Sequence, residues 1–181
     1  MLFNLSTAQA QSPENGEAAK GQTEIRPLLV GQKVPHEFWT EKHLLYINGD
    51  TVRQDLSTYK DKVLILGFWA TWCSPCLKNG TLIQEAIDQH PERFAYVKVN
   101  PVRTTDNISR IEKLLDGPIG RNYNLHKSNF SSIIEDGYLQ TLFPHHGYPL
   151  YVWINNGIIQ IMTFRNLFDQ RIAHHLLGGG L

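Results

Sequence analysis

The chain has 181 residues, of which 41% are hydrophobic, and its 17 basic and 17 acidic residues give a formal net charge of zero. This length and composition predict one domain with a sizeable core. The neutral balance, without a basic stripe, argues against binding to nucleic acid or anionic lipid.

The first 29 residues are expected to precede the folded domain, which we predict to span 30–177. Ala8-Gln9-Ala10 matches the small-residue pattern of a signal-peptidase site, and a polar stretch rich in Glu, Gln and Gly follows at 11–24. The apolar segment before it, Met1–Leu5, is too short for a complete signal peptide. Either the true start lies further upstream or the match is a coincidence. We favour the first, and interpret residues 1–29 as a signal-peptide remnant and a disordered linker.

Two strands are predicted early in the domain. Leu44–Ile47, followed by Asn48-Gly49-Asp50, indicates a strand and a tight hairpin turn. Lys62–Trp69, apolar from Val63 onward, is typical of a buried central strand. It leads directly to the only two cysteines of the chain.

The segment Trp72-Cys73-Ser74-Pro75-Cys76 predicts a redox-active dithiol. A strand that delivers two thiols to the first turn of a helix places the first sulfur beside unpaired amides and the positive end of the helix dipole, which stabilise a thiolate. Pro75 suits that turn because its missing N–H costs nothing there. We therefore predict that Cys73 attacks a substrate disulfide and that Cys76 resolves the mixed disulfide.

Other uses of the cysteine pair fit the sequence less well. Structural zinc usually takes four Cys or His ligands, and the chain has no second Cys pair. A disulfide across two residues closes too small a loop to add much stability. Haem attachment would require His where Leu77 stands. One alternative stays open, a copper or zinc binding module that combines the two cysteines with His145 or His146.

Helix and strand patterns alternate after the dithiol. Apolar residues at helical spacing in Leu82–Ile87 predict a helix, and Phe94–Val99 predicts a second buried strand. With the strand before the dithiol they form a βαβ unit whose strands are parallel. Asp106 is expected to cap a further helix that runs through Leu115.

The last third of the domain contains three predicted features. Phe130–Leu142 carries apolar residues at near-helical spacing, which predicts a short helix. Leu150–Asn155 and Ile158–Phe164 predict antiparallel strands joined by a turn at Asn156-Gly157. A final helix is expected from Asn166 to about Leu177.

The residues from Phe68 to Cys76, FWATWCSPC, resemble the active-site segment of the thioredoxin superfamily. More narrowly, Gly31–Pro35, Phe143–His145 and Tyr148–Ile154 are similar to the TlpA/ResA-like thiol–disulfide oxidoreductases of bacterial cell envelopes. The resemblance covers about residues 30–177. It implies an α/β thioredoxin fold, with a central mixed β-sheet flanked by helices on both faces, an N-terminal β-hairpin and an insertion before the cis-proline strand.

The resemblance also implies roles for residues around the dithiol. Pro149 is expected to form a cis peptide bond against the dithiol, so that Tyr148 can pair with an extended substrate. Trp72 is expected to present a partly exposed apolar face for docking, whereas Trp69 is expected in the core.

Two positions depart from the family's pattern. Thioredoxins carry a buried Asp that accepts the proton of the resolving cysteine, and here that position is Gly67. The envelope subgroup often has a Glu three residues after the second cysteine, where this chain has Asn79. His145 and His146 stand just before the expected cis-proline loop, and we predict them as candidates for proton transfer.

The function implied is thiol–disulfide exchange, more in the reducing than in the oxidising direction. The substrates would be protein or small-molecule disulfides, and the electrons would come from an upstream donor such as a membrane thiol reductase. The chemistry needs no metal and no cofactor beyond the redox-active Cys73–Cys76 disulfide. The expected location is the periplasm or cell envelope.

Overall fold

The computed structural model describes residues 25–168. The signal-peptidase pattern at Ala8-Gln9-Ala10 and most of the helix expected at 166–177 lie outside these residues. The strands are β1 (His43–Ile47), β2 (Asp50–Gln54), β3 (Val63–Phe68), β4 (Phe94–Pro101), β5 (Ser131–Asp136), β6 (Leu150–Asn155) and β7 (Ile158–Thr163). The α-helices are α1 (His36–Thr40), α2 (Ser74–Ile87), α3 (Ile108–Asp116), α4 (Pro118–Asn122) and α5 (Tyr138–Leu142).

Within the described residues the strands form one seven-stranded sheet in the order β2-β1-β5-β4-β3-β6-β7. Strands β3, β4 and β5 are parallel neighbours, whereas β6 pairs antiparallel with β3. The predicted βαβ unit is therefore confirmed as β3–α2–β4, and the sheet is mixed as expected.

Both faces of the sheet are covered by helices. Successive residues of a strand point to opposite sides, so one strand contributes to the buried clusters on both faces. Ile65 of β3 belongs to a buried cluster with Ile83 of α2. Its neighbour Leu66 belongs to another cluster, with Phe38 of α1 and Leu139 of α5. A central strand buried on both faces reads as a continuous apolar run, as β3 does.

Two tight turns form at the predicted Asn-Gly pairs. Asn48 and Gly49 have φ angles of 54° and 87°, and Asn156 and Gly157 have φ angles of 50° and 73°. Two consecutive positive φ values suit Asn and Gly and match the twist of antiparallel strands. The hairpins β1–β2 and β6–β7 are therefore confirmed.

The helix predicted over Phe130–Leu142 is wrong for its first half, which is strand β5, and α5 begins only at Tyr138. Ile133 and Ile134 are each 2% exposed, although they face opposite sides of the sheet. Because β5 is buried on both faces, it lacks the alternation that identifies a half-exposed strand.

The cap predicted for α3 is also wrong by one residue. Asn107 is the cap, since its side-chain oxygen accepts the N–H of Arg110 at 2.9 Å. Both Asp and Asn are good caps, so the sequence does not separate them. Asp106 is engaged elsewhere, beside the dithiol.

The chain enters the sheet at one edge and crosses to the other. Gly31 donates its N–H to the carbonyl of Ile159 in β7, and the Ile159 N–H donates back to the carbonyl of Gln32. The chain then crosses one face through α1, where Phe38 is fully buried, and reaches β1 beyond β5. We name residues 31–40 the crossing segment. No helix within 25–168 combines the length and apolar character needed to cross a bilayer.

Candidate active site

Cys73 and Cys76 form a disulfide where β3 leads into α2, with Cα atoms 5.3 Å apart. The predicted order of strand, dithiol and helix is therefore confirmed. Cys73 is the N-cap of α2, and its sulfur accepts the N–H of Cys76 at 3.3 Å. An amide donor at a helix N-terminus favours the thiolate over the thiol. This geometry supports Cys73 as the attacking sulfur.

Burial does not separate the two cysteines in this oxidised form, because each is 4% exposed. Their places on the helix do separate them. Cys73 lies at the helix end, whereas the sulfur of Cys76 lies 4.0 Å from the Phe68 carbonyl, against the end of β3. The resolving role predicted for Cys76 suits this inner position.

Four aromatic rings lead from the core to the surface beside the dithiol, and we name them the aromatic column. The ring of Phe68 lies 4.7 Å from that of His145, which lies 5.0 Å from that of Tyr148. Tyr148 in turn lies 5.5 Å from Trp72, edge to face. Trp72 is 64% exposed, as expected of a docking surface, and Trp69 is buried. Packing therefore fixes the exposed ring next to Cys73.

The Tyr148–Pro149 peptide bond is cis, which confirms the expectation for this proline. Pro149 is buried directly before β6, and Tyr148 packs against the cluster that contains both cysteines. The structure thus brings Trp72 and Tyr148 together beside the dithiol. Their role in substrate binding stays a prediction.

The structure separates the two histidines. His145 is buried, its Nδ1 lies 2.7 Å from the Phe143 carbonyl, and its own carbonyl accepts a hydrogen bond from Arg103. Burial lowers the pKa of His145 below its usual value. The charges of Arg103 and His146 add to this lowering, and the Phe143 hydrogen bond opposes it. His146 is exposed. Of the two, only His145 lies in the aromatic column.

Across residues 25–168, no group of three or more His, Cys, Asp or Glu side chains is placed to hold a metal ion. The ligand set considered for copper or zinc, the two cysteines with His145 or His146, is therefore not assembled in this oxidised form.

Asp106 is the centre of a buried polar network that the sequence did not reveal. Its carboxylate accepts the Thr71 N–H at 2.7 Å and the Thr71 hydroxyl at 2.6 Å. The Asn100 amide donates to the same carboxylate at 2.9 Å and to the Trp69 carbonyl at 3.3 Å. These bonds tie the segment just before Trp72 to the loop after β4. Asp106 thereby positions the approach to the dithiol.

A tyrosine ring occupies the space next to Gly67, the position where thioredoxins carry the buried Asp. A Cβ added at Gly67 would lie 2.4 Å from the Tyr96 hydroxyl oxygen. Burial, with a smaller contribution from Tyr151, raises the pKa of Tyr96 well above its usual value. The phenol therefore stays protonated near neutral pH and does not replace a carboxylate as proton acceptor. A glycine in an apolar strand gave no hint of this neighbour.

The contact between Gly67 and Tyr96 predicts a stability change. Gly67→Ala should lower the free energy of unfolding by about 1–3 kcal/mol, because the methyl group overpacks against the ring. In a Tyr96→Ala background the same substitution should cost much less. Urea unfolding of the four proteins measures the coupling, and Gly137→Ala is the control because only Val102 lies near its Cβ position, at 3.8 Å. Equal costs in both backgrounds would contradict the steric explanation.

The comparisons with known proteins agree with this geometry. The family model for thioredoxin matches residues 43–112, from β1 into α3. A thioredoxin of Acidithiobacillus ferridurans is 32% identical over 57 residues, a match that covers 32% of this chain and 52% of that protein. The chain thus spans about half the length of this curated relative.

Solved structures share the fold over most of the chain. A secreted disulfide oxidoreductase of Mycobacterium tuberculosis has a TM-score of 0.56 at 14% identity, and the match covers 79% of this chain and 98% of that one. A thiol:disulfide interchange protein DsbE from Chlorobium tepidum has a TM-score of 0.55 at 23% identity, and covers 82% and 99%. At such identities the likeness concerns the fold.

Proposed function

Because the chain belongs to the thioredoxin superfamily, we propose that it is a thiol–disulfide oxidoreductase that reduces disulfides of exported proteins. The observation that carries the proposal is the disulfide between Cys73 and Cys76 at the start of α2, with an amide donor on the first sulfur. The exposed end of the aromatic column lies beside it.

The reaction proceeds by two thiol–disulfide exchanges. The Cys73 thiolate attacks one sulfur of the substrate disulfide, releases the other as a thiolate and forms a mixed disulfide. Cys76 then attacks Cys73, which releases the reduced substrate and leaves the internal disulfide. Trp72, Tyr148 and Pro149 orient the substrate beside Cys73. The chemistry uses this dithiol and no further cofactor.

We further propose the substrates, the location and the electron source. The relatives described above include a secreted oxidoreductase and an interchange protein, which favours protein disulfides outside the cytoplasm. There the dithiol would be reduced again by an upstream donor, such as a membrane thiol reductase. The location that we propose is the periplasm or cell envelope.

An insulin reduction assay tests the proposed activity. The wild-type protein should accelerate insulin reduction by dithiothreitol, and the Cys73→Ser/Cys76→Ser protein should not. A redox titration of the same sample gives the potential of the dithiol, which decides between reduction and oxidation. Metal analysis of protein purified without chelator tests the copper or zinc alternative. Wild-type protein that leaves insulin reduction at the background rate would refute the oxidoreductase proposal.

A further inference from the structure

Lys98 lies on the side of the sheet that faces the dithiol helix. It stands opposite Gly67 in the parallel β3–β4 pair, so its side chain projects to the face that α2 covers. Its ammonium nitrogen lies 5.3 Å from the ring centres of both Tyr96 and Phe130. The side chain is partly buried. A lysine amine is therefore held between two rings, beside the position that lacks the family's carboxylate.

A small cavity joins Lys98 to the resolving cysteine. It has a volume of about 10 Å³, which is close to the smallest space that holds one water molecule. Its polar lining comes from Cys76, Tyr96 and Lys98, and the rest of the lining is glycine and apolar side chains. Among the described residues, no carboxylate lines this cavity. Lys98 is therefore the basic group of the space beneath Cys76.

A second cavity also has Lys98 in its lining. Its volume is about 160 Å³, and Tyr96 and Lys98 line it as well. It extends to Gln54, which is exposed at the edge strand β2. Lys98 therefore also borders a space that reaches the edge of the sheet.

The charges around Lys98 leave its amine able to titrate. Burial lowers the pKa of Lys98 to about 8, and Asp88 at the end of α2 opposes this lowering. Tyr96 is protonated, and Asp55 in the larger cavity is bound by Lys42 at 2.6 Å. About a tenth of the lysine is then neutral at pH 7, and most of it above pH 9.

We propose that Lys98 accepts the proton of Cys76 in the resolving step, in place of the missing carboxylate. This inference rests on the proposed function. The Cys76 thiol gives its proton to the neutral amine, directly or through one water, and leaves a thiolate and an ammonium. The thiolate bonds to the Cys73 sulfur, and the bond between Cys73 and the substrate sulfur breaks. The substrate leaves as a thiolate, reduced by the two electrons that the dithiol loses.

The resolving step can be measured directly with the aromatic disulfide dithiobis(nitrobenzoate). Reaction with Cys73 releases a first coloured thiolate, and the attack of Cys76 releases a second. The rate of the second release is recorded by stopped flow between about pH 6 and pH 10. In the wild type it should rise with pH, pass its midpoint near pH 8 and level off above about pH 9, because the neutral amine is the active form.

Three variants separate a proton acceptor from a fixed charge. Lys98→Met should slow the second release about tenfold or more at pH 7 and move the levelling-off to higher pH. Lys98→Arg should be equally slow, because guanidinium does not lose its proton in this range. Lys60→Met, at an exposed lysine, should match the wild type. Lys98→Gln replaces the methionine variant if that protein does not fold.

Two results would overturn the inference. Lys98→Arg at the wild-type rate would mean that a fixed positive charge suffices. Lys98→Met with the wild-type pH profile would exclude the lysine, and a loss in His145→Gln at low pH would then assign the proton to the histidine. Both results require a wild type that releases both thiolates. A wild type that reduces neither insulin nor the aromatic disulfide refutes the proposed function instead.

Discussion

Cys73→Ser is expected to reduce disulfide turnover to background, whereas Cys76→Ser is expected to accumulate mixed disulfides with substrate. Only Cys73 combines the helix N-cap with an amide donor 3.3 Å from its sulfur, so it supplies the stabilised thiolate. Without Cys76 the first attack still occurs, but nothing displaces the bound substrate. Non-reducing electrophoresis after incubation of the reduced Cys76→Ser protein with disulfide-containing substrate proteins would show the trapped species.

Alkylation of the reduced protein provides an independent measurement. Iodoacetamide should modify Cys73 at least about tenfold faster than Cys76 near neutral pH, since the thiolate is the reactive form. Peptide mapping by mass spectrometry gives the two rates. Equal alkylation rates would remove the basis for assigning Cys73 as the nucleophile. Mixed disulfides that form on Cys76 in the Cys73→Ser protein would reverse the roles of the two cysteines.

Asp106→Ala is expected to lower the free energy of unfolding by about 3 kcal/mol, because three hydrogen bonds to a buried carboxylate are lost together. The Thr71 N–H would lose its acceptor, and the Asn100 amide would keep only the Trp69 carbonyl. The segment that carries Trp72 would then lose its tie to the loop after β4. Turnover should therefore fall further than the unfolded fraction accounts for.

Urea unfolding and insulin reduction on the same samples separate the two effects. Asp61→Ala removes an exposed carboxylate of the same type and should change neither quantity appreciably. Asp106→Asn retains one side-chain oxygen and should lie between wild type and alanine. An Asp106→Ala protein with wild-type stability and turnover would contradict the role of this network in positioning the segment before Trp72.

The elements predicted correctly are those whose signal is local. Asn48-Gly49 and Asn156-Gly157 need no distant partner to form their turns. The continuous apolar run before the dithiol indicates a buried strand by itself. Strand β5 was missed because its burial depends on β1 and β4, on either side of it. The sequence pattern of such a strand does not differ from that of a buried helix.

The candidate site divides in the same way. Both cysteines and Pro149 follow from a continuous motif or from a resemblance. The surroundings of Asp106, Tyr96 and Lys98, in contrast, depend on how separate elements pack together. Two signals in the sequence could have indicated the place of Lys98. Lys98 is a lysine within an apolar strand, and the predicted parallel pairing of β3 with β4 would have placed it beside Gly67. That register becomes certain only when the strands are seen together.

The crossing segment bears on how the sheet avoids aggregation. Strand β7 ends the sheet on one side, and an open strand edge offers unpaired N–H and carbonyl groups to any other chain. Gly31 and Gln32 occupy those groups of Ile159, so the start of the domain covers the first part of this edge. At the opposite edge β2 is exposed along its length, and there Asp50 and Arg53 carry charges that disfavour pairing between chains. Loss of the residues before α1 would therefore expose these backbone groups of β7 to other chains.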